Sequence, residues 1–298
     1  MSILNFGSLN LDYIYKVSHF VQPGETLAAT EQKTVPGGKG LNQSIALARA
    51  GANLFHAGCI GAGGTPLFNL LQSENIALDY LYKTEVPQGN AIIQVNPLGE
   101  NCILLFGGSN QALTLKQVEN TFLNFKPGDY LLLQNEINLL DDIIRIATAK
   151  KLQIILNPSP FDEKLQKLDY SQISWLIVNE IEAQQLTGLT EPEKIWNHIH
   201  DFYPSLKLIL TLGSNGSYVF TPTETIFQPA FTVTAVDTTA AGDTFTGYFV
   251  YGLSMNKPLA DCIEQATAAA ACCVSKEGAS SSIPYMSEVI SFLNNRPN

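Results

Sequence analysis

Apolar residues recur along this chain with two different periods. Short, mostly apolar runs at 3–9, 54–60, 130–134, 153–157, 175–178, 206–212 and 217–220 have the length of strands buried on both faces. Between them, the segments 40–50, 65–74, 139–150, 180–188, 241–253, 259–274 and 286–293 read as helices with an apolar side. Such alternation predicts parallel βαβ units. The expected fold class is therefore α/β, a doubly wound, mostly parallel sheet with helices on both faces. No internal repeat, low-complexity tract or Pro/Ser-rich linker interrupts the pattern, so a single domain over 1–298 is expected.

Four further segments, 11–17, 27–35, 91–95 and 103–106, look like strands without helices between their near ends. They predict a small antiparallel sheet inserted beside the main one, over about 10–36 and 90–107. In the first of them a period of two puts Asn10, Asp12 and Ile14 on one face and Leu11, Tyr13, Tyr15 and Val17 on the other. Either the polar face covers a polar ligand or this is an ordinary half-buried strand of the main fold. Periodicity leaves both open.

Composition changes the picture in three ways. With 45% hydrophobic and 15% charged residues, the 298-residue chain has material for a sizeable core and too little charge for disorder. A formal net charge of −10 repels nucleic-acid phosphates and anionic lipid, so neither is an expected partner. It leaves room for one nucleotide in a locally favourable pocket. The five cysteines, Cys59, Cys102, Cys262, Cys272 and Cys273, are odd in number and form no C-x-x-C pair, which favours reduced, buried thiols. The first residues carry no basic or long apolar leader, and the longest apolar stretch, 266–274, is far short of a membrane span. A cytoplasmic location is expected.

The strongest local signal is Asp237-Thr238-Thr239-Ala240-Ala241-Gly242-Asp243. It lies between a strand expected to end near Val236 and a helix expected to begin near Ala241. The small residues Ala240, Ala241 and Gly242 would let a ligand approach the first-turn N–H groups, which with the helix dipole suit a phosphate. Asp243 in that turn is either a cap or a base that accepts the proton of an attacking hydroxyl. The second signal is Pro36-Gly37-Gly38-Lys39-Gly40-Leu41-Asn42-Gln43, three glycines around a lysine at a helix start. It lacks P-loop spacing and by itself reads equally as a glycine turn. Gly61-Ala62-Gly63-Gly64-Thr65-Pro66 fails the dinucleotide fingerprint at Pro66, which removes the cofactor motif an NAD-dependent oxidoreductase needs. No H-E-x-x-H or G-x-S-x-G motif occurs, His198 and His200 cannot share a helix face, and His19 and His56 are isolated.

Together these segments resemble the ribokinase-type (phosphofructokinase-B) family of carbohydrate kinases, nearly end to end. The resemblance runs from Gly7-Ser8-Leu9-Asn10-Leu11-Asp12 to Gly278-Ala279-Ser280-Ser281-Ser282-Ile283-Pro284, with the Gly37–Asn42 and Asp237–Asp243 segments as its two signatures. It implies that Asn10, Asp12, Gly38, Lys39, Asn42 and Glu136 hold the sugar, that Asp243 is the catalytic base, and that Ala240, Ala241 and Gly242 form the anion hole. It implies that Asn179 and Glu182 help place Mg²⁺ and phosphate through water, and that Thr211, Gly213 and Gly216 lie in the ATP-binding loop. Asp237, Thr239, Cys273, Lys276, Gly278 and Ser282 match positions that bind a monovalent cation such as K⁺, mostly through carbonyls. The chain departs from the family pattern at Gly61–Gly64, which lack following acidic residues, and near Thr267, where a histidine is missing. Two amides, two carboxylates and one ammonium suit a neutral polyol, so D-ribose is the expected substrate. A sibling kinase for another sugar, nucleoside or sugar phosphate is the alternative, and a non-catalytic sugar or nucleotide sensor is disfavoured by the presence of Asp243. A homodimer through the apolar stripe Leu11, Tyr13, Tyr15 and Val17 is expected.

Overall fold

The computed structural model describes residues 1–295. Its strands are β1 (Ile3–Phe6), β2 (Asn10–Lys16), β3 (Glu31–Gly37), β4 (Leu54–Ala62), β5 (Ala77–Pro87), β6 (Asn90–Val95), β7 (Asn101–Phe106), β8 (Tyr130–Gln134), β9 (Gln153–Asn157), β10 (Trp175–Asn179), β11 (Lys207–Thr211), β12 (Ser217–Phe220) and β13 (Thr225–Gln228). Its helices are α1 (Lys39–Ala50), α2 (Thr65–Ser73), α3 (Leu115–Phe122), α4 (Leu140–Ala149), α5 (Glu180–Thr187), α6 (Pro192–Phe202), α7 (Ala241–Ser254), α8 (Leu259–Val274) and α9 (Met286–Asn294).

The main sheet runs β5-β4-β1-β8-β9-β10-β11 in parallel, and β12 and β13 extend the β11 edge antiparallel. Its strands are apolar on both faces because both faces are covered. Ile3, Leu132, Ile155, Ile177 and Ile209 point into one core, which α1, α2, α7, α8 and α9 cover. Leu4, Leu131, Leu133, Ile154, Leu156 and Leu208 point into the other, under α3, α4, α5 and α6. The doubly wound α/β architecture expected from the alternation is what forms.

The small sheet is ordered β3-β2-β6-β7. It is mixed rather than antiparallel throughout. β2 pairs antiparallel with β3, but parallel with β6, because the chain crosses through α1 and α2 before it returns alongside β2.

Several local expectations need correction. α3, α6, β5 and β13 were not foreseen: α3 and β13 are short, and β5 intersperses Asp79, Lys83 and Glu85 among its apolar residues. No strand runs into Val236, since β13 ends at Gln228. Residues 229–236 form no regular element, and the N–H groups of Val236 and Asp237 both donate to the Val274 carbonyl at the end of α8. β1 stops at Phe6 rather than Leu9, whose N–H and carbonyl are taken by the Asn110 amide at 2.9 and 3.1 Å. Of the five free cysteines, Cys59, Cys262 and Cys273 are buried, Cys272 is half-buried, and Cys102 is exposed on β7. No helix among the described residues is long and apolar enough to cross a membrane.

At the far end of α1, Arg49 pairs with Glu74, and its Nη1 donates to the carbonyls of Ser280 and Ile283. The side chains are 10% and 8% exposed, so water hardly screens the pair. Replacing Glu74 with Leu would strand the guanidinium. Urea unfolding should then show a loss of about 3–5 kcal/mol, as for a buried pair stripped of one partner. A loss under about 1 kcal/mol would mark the pair as effectively solvent-screened.

Candidate active site

In an open α/β sheet the crevice lies beyond the carboxyl ends of the strands, where the strand order reverses. Here that reversal flanks β1, between β4 and β8. Two helices begin there without a side-chain cap. α1 starts at Gly38, whose φ of 96° excludes most other residues, and α7 starts at Ala240 with φ of 62°. The first-turn donors of α1 are taken from elsewhere, Lys39 N–H by Glu136, Gly40 N–H by the Ser8 hydroxyl and Leu41 N–H by the Ser8 carbonyl. It is therefore the start of α7 that keeps donors and partial positive charge for an anion.

Asp243 stands in the first turn of α7 and is 8% exposed. It is more than a cap. Its Oδ2 accepts a hydrogen bond from Asn42 Nδ2 and its Oδ1 one from Gln43 Nε2, both at 2.9 Å. Asn42 was anticipated; Gln43 was not.

The remaining sugar-side residues gather around Glu136, just beyond β8. Its Oε2 accepts from the Lys39 N–H at 3.0 Å and from the Ser8 hydroxyl. Burial pushes the Glu136 carboxyl up, and the nearby Asp243 charge adds to this, against the opposing pull of Ser8 and Lys39. Burial, reinforced by Glu136, raises Asp12 to about 7. The Lys39 ammonium is disfavoured by burial, but Asp243, Glu136 and Glu182 more than offset this and hold it above its ordinary value. The glycines around Lys39 are required by space: a Cβ on Gly37 would fall on the Asp12 carboxylate, and one on Gly40 would strike the Ser8 backbone. Asn10 is buried, and its Oδ1 accepts from Asn110 Nδ2 at 2.7 Å. Asn110 was missed because nothing local in the sequence distinguishes it from other loop amides.

Two cavities meet at the start of α7. One, of about 260 Å³, is lined by Lys39, Asn157, Glu182, Thr238 and Ala240–Asp243, among others. The larger, of about 630 Å³, runs from Thr211, Gly213 and Gly216 to apolar walls at Phe231, Val233, Ala271 and Val274. Both include Asn179, Thr211, Ala241 and Gly242. A Cβ on Gly242 would meet nothing within 4 Å, so the helix start is open to a ligand. Asn179 and Glu182 cap α5 reciprocally: Asn179 Oδ1 accepts from Glu182 N at 2.8 Å, and Glu182 Oε2 from Asn179 N at 3.1 Å.

Behind α7, Asp237 ties two loops. Its Oδ1 accepts from the Thr239 N–H and hydroxyl at 2.9 and 2.6 Å, and its Oδ2 from Gly278 N at 3.0 Å. Burial would raise Asp237, but these bonds outweigh it and hold the carboxyl low. Cys273 Sγ lies 3.1 Å from Ser282 Oγ and 3.7 Å from the Thr239 carbonyl. Thus Asp237, Thr239, Cys273, Gly278 and Ser282 come together. The Lys276 side chain does not join them, because its ammonium is drawn outward to Glu288.

A carboxyl whose folded pKa is raised contributes stability in full below its unfolded value, and loses it as pH rises through the folded one. For Asp12 that window runs from its ordinary value of 3.8 to about 7. Asp12→Asn should therefore melt roughly 2–4 °C higher than the unsubstituted protein at pH 8, with the gap closing by pH 4. A gap of constant size across that range would show that Asp12 ionises as it does in water.

Against known proteins, residues 2–286 match the model of the pfkB family carbohydrate kinases. A ribokinase from Staphylococcus aureus (strain COL) is 36% identical over 96% of this chain and 98% of its own length. Among solved structures, ribokinase from Thermotoga maritima superimposes with a TM-score of 0.89 at 33% identity, covering 99% of this chain and 100% of that one. Arabidopsis thaliana ribokinase complexed with ribose and ATP has a TM-score of 0.85 at 29% identity, covering 99% of each chain. With an open start to α7, a carboxylate held there by two amides of α1 and a match across nearly its whole length, the chain belongs to the pfkB family of carbohydrate kinases, phosphotransferases that act on sugar hydroxyls.

Proposed function

We propose that this protein transfers the γ-phosphoryl group of ATP to the terminal primary hydroxyl of D-ribose, giving ribose 5-phosphate and ADP. The observation that carries this reading is the Asp243 carboxylate, held between Asn42 and Gln43 beside the uncapped start of α7. The names of the Staphylococcus aureus and Thermotoga maritima relatives, and the ribose and ATP in the Arabidopsis complex, support ribose and ATP as the two substrates.

In this reading, Asn10, Asp12, Lys39, Asn42 and Glu136 bind the sugar hydroxyls, with Gly38 leaving room at the start of α1. Asp243 takes the hydroxyl proton as the oxygen–phosphorus bond forms and the bond to the ADP oxygen breaks. N–H groups of the Ala240–Gly242 turn receive the charge on the transferring group. The apolar walls of the larger cavity take the adenine, and Thr211, Gly213 and Gly216 line the nucleotide's path.

Glu182 faces the junction with one carboxylate oxygen outside its cap, a hard donor of the kind Mg²⁺ prefers. Among the described residues no three His, Cys, Asp or Glu side chains are placed to hold a metal ion by themselves, which suits an ion held largely by phosphates and water. When bound, Mg²⁺ would neutralise phosphate charge. The Asp237 and Thr239 oxygens, with the carbonyls beside Cys273, Lys276, Gly278 and Ser282, suit a monovalent cation such as K⁺. An ion there would order the turn that leads into Ala240.

The whole chain acts as one kinase domain, with the small sheet as a lid over the sugar. Reduced thiols fit a cytoplasmic protein. The lid also carries the dimer contact, with half-buried Tyr13 of the expected β2 stripe in register with Ile92 on β6, itself opposite Leu104 on β7. Val17 is buried, and Leu11 packs against the main core. The exposed apolar surface is Ile92 on β6 and Ile103–Phe106 on the edge strand β7, and a second copy of this chain would cover it.

A coupled ADP-release assay across ribose, fructose, adenosine and fructose 6-phosphate should give the highest kcat/KM with ribose. Asp243→Asn should lower kcat by about 10²-fold or more with the fold intact. K⁺ should activate more than a bulky organic cation. A preference for adenosine or fructose 6-phosphate would overturn ribose but leave a kinase, and near-normal turnover by Asp243→Asn would remove the base. Light scattering should report twice the 32.5 kDa chain mass, falling to one chain in Leu104→Lys. A monomer before substitution would refute the dimer.

A further inference from the structure

Gln43 is fully buried and lies one residue along α1 from Asn42. Its side chain is 0% exposed and spends both N–H groups and its oxygen inside the protein. Its Nε2 donates to Asp243 Oδ1 at 2.9 Å, and to Asn157 Oδ1 at 3.0 Å. Its Oε1 accepts from Gln134 Nε2 at 2.6 Å. That last bond decides which way the amide faces. Flipped, Gln43 would turn its oxygen toward two acceptor oxygens and its nitrogen toward a donor.

The orientation is fixed further back as well. Gln134 donates its second N–H to Asn5 Oδ1 at 2.9 Å. Asn5 in turn donates to the Gly40 carbonyl and to Ser44 Oγ, both at 2.8 Å and both on α1. Asn157 spends its own amide on the Ile177 carbonyl at 3.0 Å. The amides thus run from α1 through β8 and β1 and back to α1. Both N–H groups of Gln43, Gln134 and Asn5 have acceptors, while the buried Gln134 Oε1 has no partner.

We infer that Gln43 is a positioning residue for phosphoryl transfer: its buried amide, oriented by Gln134 and Asn157, fixes the angle of the Asp243 carboxylate from behind. Asn42 holds Oδ2 and Gln43 holds Oδ1, so the carboxylate plane cannot rotate and its remaining lone pairs face the cavity. A base must meet the hydroxyl at hydrogen-bond reach and in line, and small misplacements are costly. A neutral amide also cannot take the proton onward. Gln43 therefore stabilises the carboxylate without competing for its function.

This rests on Asp243 being the base, so wild type and Asp243→Asn are measured first. If wild type turns over ribose and Asp243→Asn does so about 10²-fold more slowly or less, that reading stands and the test of Gln43 proceeds. Gln43→Met keeps the volume and removes the donors. Its kcat should fall roughly 10- to 100-fold while the KM values for ribose and ATP stay within about threefold. In the Asp243→Asn background the same substitution should leave the residual kcat unchanged, because no base remains to be aimed. A normal kcat, a change confined to KM, or an equal loss in both backgrounds would each overturn the inference. Should Gln43→Met not fold, Gln134→Met releases the Gln43 amide instead. Loss of kcat at constant KM supports the inference, and an unchanged kcat overturns it.

Discussion

The site depends on how closely α1 and α7 pack. At their crossing a Cβ on Gly247 would strike the Ala46 side chain and come within about 3 Å of the α1 backbone. Two small residues therefore let the axes approach far enough for the first turn of α1 to reach the first turn of α7. Both helix starts carry partial positive charge, and two such ends facing each other repel unless negative charge lies between them. Asp243 supplies it, with Asn42 and Gln43 donating from the opposite helix. The N–H groups that remain open at the start of α7 offer the positive potential that a phosphoryl group in transfer requires.

A second constraint acts on the sugar side. Asp12 lies beside Glu136, and Glu136, Asp243 and Glu182 all act on one ammonium, Lys39. Burial resists ionising the first two, and Ser8 and the Lys39 N–H partly relieve Glu136. Such a pocket is poorly matched to an anionic sugar phosphate and well matched to neutral hydroxyls, which can donate to carboxylates and accept from the ammonium. Gly37 and Gly40 belong to this arrangement because their missing side chains leave the space that Asp12 and Ser8 fill.

Much of this was legible in the residues. The alternation of apolar strands and amphipathic helices follows from burial on both faces of a parallel sheet, so the α/β class and most elements were readable from spacing. Gly38, Lys39, Asn42 and Asp243 stood out because a helix start next to small residues has a local signature. The short α3, the charged β5 and the absent strand before Val236 were not readable. Their outcome depends on which neighbours cover them, and the Val236 N–H is claimed by a carbonyl at the end of α8.

Local sequence carries period, capping and chain flexibility, and these act over a few residues. It therefore determined the layers, the two helix starts built from small residues and the presence of a carboxylate in one of them. It held no signal for Gln43, Gln134 and Asn5, which read as ordinary polar interruptions of apolar runs. Nor did it reveal that Asn110 orients Asn10 across 100 residues of chain, or that the exposed apolar strand is β7 rather than β2. Those outcomes belong to tertiary structure, because a buried amide acquires a role only when folding chooses its partner and removes the water that would otherwise take its hydrogen bonds.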